Sequence, residues 1–215
     1  MTLLRRWLPP LSLIALLLAG WEAAVRITGV PAWMLPPPSA VAATLARERG
    51  LLLSNAGITL AEVLLGFALA LVCGLLLALL IDASPALDRA LYPIVVASQT
   101  VPVPAIAPLL LIWFGYGLLP KVLVTALVGF FPIVVSAVDG LRSADRETMS
   151  LLRAFGASRL QLFRLVRLPS ALPAIFSGAR IAIAVCVIGA VFGEFVGSKA
   201  GLGYLMTRAI AQFRT

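Results

Sequence analysis

The chain has 215 residues, 61% of them hydrophobic and 12% charged, with a formal net charge of +8 and no histidine. A mean hydropathy of +1.06 and several long uncharged runs exceed what a soluble core requires and mark a polytopic membrane protein. The basic excess does not point to nucleic acid, because Lys and Arg stand between apolar runs with few aromatics interleaved, and orientation in a bilayer accounts for them better. Cys73 and Cys186 both lie inside apolar runs and read as packing residues, with neither a disulfide framework nor the ligands for a zinc site.

A bilayer crossing needs roughly 20 apolar helical residues, and five segments approach or meet that length. The first, residues 7–25, follows Arg5 and Arg6. A cleavable signal peptide would start in the same way, but Trp21 and Glu22 stand where small residues should precede the cut, so an uncleaved span is the reading. After "LPPPS", Ser39 suits an N-cap, and residues 40–53 suit either an interfacial helix or an ordinary connecting loop. The second span covers 58–81, the third lies between Arg89 and Lys121, the fourth fills 122–138 and the fifth covers 172–191. Arg180, inside the fifth, would either snorkel to a headgroup or face the protein interior.

The third span, "YPIVVASQTVPVPAIAPLLLIWFGYG", contains Pro93, Pro102, Pro104 and Pro108, each lacking a backbone donor. Broken backbone at membrane depth survives where protein or a water-filled cavity satisfies the freed carbonyls. The segment therefore reads as a pathway lining, with Ser98, Gln99, Thr100 and Pro102 at its polar break, or alternatively as a kinked packing helix. The positive-inside rule orients the whole. With the N-terminus in the cytoplasm, that side takes Arg5, Arg6, Arg89, Arg142, Arg146, Arg153, Arg159, Arg164 and Arg167; the other takes Arg26, Arg47, Arg49, Lys121, Lys199, Arg208 and Arg214.

Residues 139–169 form the longest charged segment, on the side that the positive-inside rule assigns to the cytoplasm. Leu151, Leu152 and Phe155 fall at helical spacing, Gly156 suits a turn or C-cap, and Ser158 suits the N-cap of a second short helix. On that second helix Leu162, Leu165 and Val166 share a face, Arg164 and Arg167 point elsewhere, and Leu168 and Pro169 reset the chain for re-entry into the membrane. Such a helix pair would serve either as a docking surface for a soluble partner or as an interfacial loop held by anionic membrane lipid.

This segment resembles the signature loop of binding-protein-dependent ABC-transporter permeases: Glu-Ala-Ala, three residues, Gly, nine residues, a hydrophobic residue, any residue, Leu-Pro. Gly156 matches the glycine, Val166 the hydrophobic position, and Leu168 and Pro169 the closing pair. The opening triplet is replaced by Ser150, Leu151 and Leu152, with Glu147 the nearest acid upstream. "PLLLIWFGYG", "FFPIVVSAVDGLRSAD" and "GEFVGSKAGLGYLM" extend the resemblance over nearly the whole chain, toward the nitrate, sulfonate, taurine and thiamine-pyrimidine branch. Within it, "SQTVPVPAIAPLLLIWFGYGLLPK" and "YLMTRAIAQFRT" look most like permeases for pyrimidine precursors of thiamine.

The resemblance implies an all-α, type I importer permease fold spanning residues 1–215, with 139–169 as its coupling loop. It implies a cytoplasmic ABC ATPase that uses the ATP, an extracytoplasmic substrate-binding protein and a second permease copy. The residues that would meet the ATPase are Ser150, Leu151, Leu152, Arg153, Ala154, Phe155, Gly156, Ala157 and Ser158, closed by Val166, Leu168 and Pro169. The chain lacks a Gly-x-x-x-x-Gly-Lys-Ser/Thr phosphate loop, so no cofactor is expected on it. Members of the family usually continue past this tail into a sixth span, so a missing last helix is the expectation. Beyond the fifth span Glu194 joins the candidate pathway, and Gly197, Gly201 and Gly203 suit a lid or an interfacial turn. A membrane-embedded enzyme is the weaker alternative, since Glu22, Glu62 and Glu194 are scattered rather than clustered.

Overall fold

The computed structural model describes residues 2–212, with side chains from Trp7 onward; the side chains of Arg5 and Arg6, and Arg214, lie outside the described residues. Those described contain helices and turns and no strand. They group into two compact units, Met1–Ala56 with Leu205–Thr215, and Gly57–Tyr204.

In the first unit α1 (Thr2–Thr28) carries the first apolar span, Trp7–Thr28. A second helix, α2 (Pro38–Arg47), is capped by Pro37 rather than Ser39. Ser39 instead sits in its first turn and donates to Glu22 twice, from its amide at 3.0 Å and its hydroxyl at 2.8 Å. Glu22 also takes Arg26 at 2.6 Å, so this acid fastens α1 to α2. Only Glu48 separates α2 from α3 (Arg49–Ala83), so the element expected over 40–53 is a helix that ends at Arg47, and residues 49–53 belong to the long helix of the second span. No proline interrupts that run, and nothing in it stops a helix.

The second unit is organised around α6 (Leu118–Arg142), which packs against both α3 and α9 (Leu168–Phe195). Lipid provides little hydrophobic drive between helices, so close backbone approach through small residues takes its place. On α3 the stripe is Gly66, Ala70, Gly74 and Ala78; on α9 it is Gly178, Ala182, Cys186 and Ala190. A Cβ on Gly178 would meet Ser136 at 2.5 Å, and one on Gly129 of α6 would meet the Cys186 sulfur at 2.5 Å. Cys186 is fully buried, as a packing residue should be, whereas Cys73 is exposed.

The third span is broken. Its halves, α4 (Pro85–Ser98) and α5 (Val103–Phe114), meet at 99°. Pro102 caps α5 and Pro104 lies in its first turn, where a missing N–H costs nothing. Counting this pair as one span, the described residues hold up to five segments long and apolar enough to cross a membrane.

The charged segment differs from its sequence reading at both ends. Asp139–Arg142 is still the last turn of α6. The segment proper holds α7 (Arg146–Ala154) and α8 (Arg159–Leu162), but α8 is not a separate short helix. It continues through a five-residue π turn, Phe163–Arg167, into α9, making one helix from Arg159 to Phe195. Leu168 and Pro169 therefore do not interrupt the chain. In an unbroken α-helix the Pro169 ring would collide with the Leu165 carbonyl; the π turn widens the backbone there and lets the helix pass. The wider turn also changes which residues align: Leu162 and Val166 are buried, while Leu165 is 66% exposed. Arg180 is exposed on the described chain.

Candidate functional site

Asp145 starts α7 by accepting the Thr148 amide at 2.8 Å and, more weakly, the Glu147 amide at 3.4 Å. The Thr148 hydroxyl and amide hold the Asp145 carboxyl below the usual carboxylate range. The helix ends in a Schellman turn: Ala157 N–H reaches the Leu152 carbonyl and Gly156 N–H the Arg153 carbonyl, both at 2.9 Å. Gly156 takes φ +82°, a left-handed conformation that a side chain would strain. Ser158 then caps α8 in a reciprocal box with Gln161, its own amide donating at 2.8 Å and its hydroxyl accepting at 3.3 Å. The turn and cap thus sit where the sequence placed them.

The face this builds is open. No residue of α7 is buried. Leu151 is 57% and Phe155 79% exposed, one helical turn apart, beside exposed Ser150, Arg153, Ala154 and Gly156. Leu152 and Ala157 are half-buried, Val166 is buried under the π turn, and Leu168 and Pro169 lie inside the long helix. An apolar i, i+4 pair on a short polar helix is what a groove-binding partner would grip.

The segment's two roots are fixed. Arg142, at the end of α6, pairs with Asp88 of α4 and lies 5.0 Å over the Tyr92 ring. Arg167, at the end of the π turn, pairs with Asp82 of α3 and donates to the Leu141 carbonyl at 3.3 Å. Neither aspartate was a candidate in the sequence reading, although both stand in the short charged stretch "IDASPALDR" between apolar runs.

At the break in the third span, Ser98, Gln99, Thr100 and Pro102 are all exposed. Ser98 and Thr100 turn their hydroxyls back onto Val95 and Ala97 carbonyls at 2.7 and 2.8 Å. Local hydroxyl bonds of this kind satisfy carbonyls that the bend has released.

Glu194 is 1% exposed and faces inward. It accepts the Thr59 hydroxyl at 2.6 Å and the Gly203 amide at 2.5 Å, at the start of α10 (Leu202–Ala211). A Cβ on Gly201, which takes φ +115°, would overlap this carboxylate. Thr59 also accepts the Leu202 amide at 2.9 Å. One turn further along α3, Glu62 takes the Lys121 ammonium at 2.6 Å, and Lys121 donates to Ser198 at 2.8 Å. Glu62 and Glu194 thereby become neighbours, and α3, α6 and α9 are tied together at the end opposite the charged segment. The scattered acids of the sequence converge here. The signal was present as ionisable residues within or beside apolar runs, but their partners lie too far along the chain to be paired by spacing.

Residues 70–215 match the model of the family described as binding-protein-dependent transport system inner membrane component. The chain belongs to this family. Among its permease relatives, the formylaminopyrimidine transport permease protein ThiX of Halalkalibacterium halodurans is 42% identical over 207 residues, 96% of this chain and 82% of that protein. The riboflavin transport system permease protein RibX of Chloroflexus aurantiacus is 44% identical over 96% of this chain and 77% of its own length. The taurine transport system permease protein TauC of Escherichia coli is 31% identical over 91% of this chain and 74% of its own. Two solved structures share the fold: an amino acid ABC transporter (TM-score 0.67, 17% identity, 80% of this chain and 83% of that one) and the MetNI methionine ABC transporter (TM-score 0.64, 22% identity, 78% and 86%). The all-α importer permease fold expected from the sequence is therefore the one observed. As an inner-membrane ABC permease, the protein works with an ATPase partner.

Proposed function

We propose that this permease passes a small nitrogen heteroaromatic, a pyrimidine precursor of thiamine, inward across the plasma membrane. The motor is a cytoplasmic ABC ATPase docked on α7 and the Gly156 turn. The observation that carries the docking is the exposed Leu151–Phe155 stripe on a helix with no buried residue. ATP is bound and used by that ATPase. Nucleotide-driven closure of the ATPase would draw on α7 and rock the spans between inward and outward openings.

An extracytoplasmic binding protein delivers the substrate, and a second copy of the permease completes the pathway, with the N-terminus cytoplasmic. Ser98, Gln99, Thr100 and Pro102 at the broken span contribute its polar lining, and Glu194 anchors the turn beyond α9 rather than lining the route. Relatives named for formylaminopyrimidine and riboflavin, at 42% and 44% identity, support a heteroaromatic substrate over a sulfonate or taurine, whose permeases are 31% identical.

Two measurements test this reading. Gly156→Pro should leave membrane insertion intact and abolish co-purification with the ATPase; retention at wild-type levels would overturn the docking assignment. The ligand carried by the cognate binding protein, identified by mass spectrometry, should be a formylaminopyrimidine. A flavin, sulfonate, taurine or nitrate ligand would refute the substrate while sparing the permease.

A further inference from the structure

The charged segment leaves the helix bundle at Arg142 and rejoins it at Arg167. Between these roots only Leu162 and Val166 are buried, so the segment is held to the bundle almost entirely at its two ends. Both ends are bound to one place. Asp82 and Asp88, on either side of the turn between α3 and α4, take Arg167 and Arg142 respectively.

That turn is tight and stiff. Ser84 alone separates the two helices; its hydroxyl accepts the Ala86 amide at 3.2 Å, and Pro85 occupies the first helical position of α4. Beyond it α4 runs 14 residues to the 99° break, a lever of about 21 Å at 1.5 Å per residue.

We propose that the Asp82–Asp88 corner is the receiver that carries movement of the docking segment along α4 to the broken span, with Arg142 and Arg167 as positioning residues. The chemistry favours arginine at both roots. The Arg167 guanidinium reaches a carboxylate of α3 and a carbonyl of α6 at once, so one planar group joins three helices. The Arg142 guanidinium reaches a carboxylate of α4 and also lies over the Tyr92 ring of the same helix, fixing its direction as well as its charge. The π turn contributes by placing Arg167 on the inner side, since its extra backbone width sets the rotation at which the helix enters the bundle. A pull on α7 reaches both roots and is met by the same corner, so α4 is displaced rather than the segment alone.

This rests on the ATPase docking at α7, and the experiment separates the two. The permease is assembled with its ATPase and binding protein in proteoliposomes, and substrate moved per ATP hydrolysed is measured beside ATPase co-purification. Asp82→Asn and Arg167→Gln should lower that ratio about tenfold while co-purification stays at wild-type level. The charge-swapped pair Asp82→Arg/Arg167→Asp should recover most of it. The other pair is more exposed, at 42% and 35%, so Asp88→Asn or Arg142→Gln should lower the ratio by a smaller factor, roughly two- to threefold. An unchanged ratio in Asp88→Asn and in every Asp82 or Arg167 variant that inserts would overturn the proposal. Loss of co-purification in Arg167→Gln would also overturn it, by placing that residue in docking rather than transmission. If Gly156→Pro keeps its ATPase, the docking reading fails independently of these ratios.

Discussion

Removing the ammonium of Lys121 is the sharpest perturbation of the buried network. Glu62 is fully buried, its Oε1 takes Lys121 at 2.6 Å, and its Oε2 has no hydrogen-bond partner. At 2.6 Å and an effective dielectric of about 20, the gross attraction is about 6 kcal/mol. Desolvation of both charges cancels much of that, but Lys121→Met would leave the desolvated carboxylate behind without its donor. Breaking such a pair from one side costs about 3–5 kcal/mol. For a protein of this size each kcal/mol moves the melting temperature by about 2–4 °C, so a fall of roughly 6–20 °C is expected. Thermal melting of the detergent-purified permease, followed by size-exclusion monodispersity, would read it. Glu62→Leu/Lys121→Met removes both charges together and should return to within about 1 kcal/mol of wild type, because a buried pair replaced by apolar groups is often neutral. If Lys121→Met melted within about 3 °C of wild type, or if the double variant were worse than the single, the pair would not hold α3 to α6 as described.

Three other outcomes are expected. Gly178→Ala puts a methyl against Ser136 and the Pro132 carbonyl and should cost about 1–3 kcal/mol by melting; a neutral result would mean that α6 and α9 separate freely. Asp145→Ala should abolish hydrogen-exchange protection of the Thr148 amide at every pH. In the unaltered permease the Asp145 cap, whose folded-state value is depressed by Thr148, contributes fully above the ordinary Asp value of about 3.9 and is lost as pH falls through the lower folded value; protection that ignored pH would contradict the cap. Gln99→Ala and Thr100→Ala should alter transport rate or substrate range with ATPase association intact, and wild-type transport in both would remove the polar break from the pathway.

Much of the fold could be read from apolar runs and their punctuation, because lipid forces each crossing to be long and each charge to be explained. Disruption of the third span was signalled by Pro93, Pro102, Pro104 and Pro108 together, but that the break falls at Pro102, with Pro93 and Pro108 carried inside the two halves, was not legible from their spacing. The Gly156 turn and Ser158 cap are local chemistry and were equally plain. Pro169 misled, because a proline reads as a stop unless a widened turn precedes it, and π turns carry no clear composition signal. Ser39 misled for another reason: its side chain serves Glu22, a tertiary partner 17 positions away. The joining of Glu62, Lys121 and Glu194, and of Asp82 and Asp88 with their arginines, depends on helix placement that no periodicity reports.

The π turn leaves the long helix with a surplus residue relative to a regular α-helix spanning the same rise. Length variation at this point in the chain is therefore not neutral. Deleting one residue between Phe163 and Arg167 removes that surplus and tightens the turn to α geometry, where the Pro169 ring would meet the carbonyl four residues before it, so the helix would kink there instead of running straight. The small-residue stripe on α9 would still find α6, but α7 and its exposed stripe would face another direction. The reading frame of the helix, counted in residues, is thus part of how the docking face is aimed.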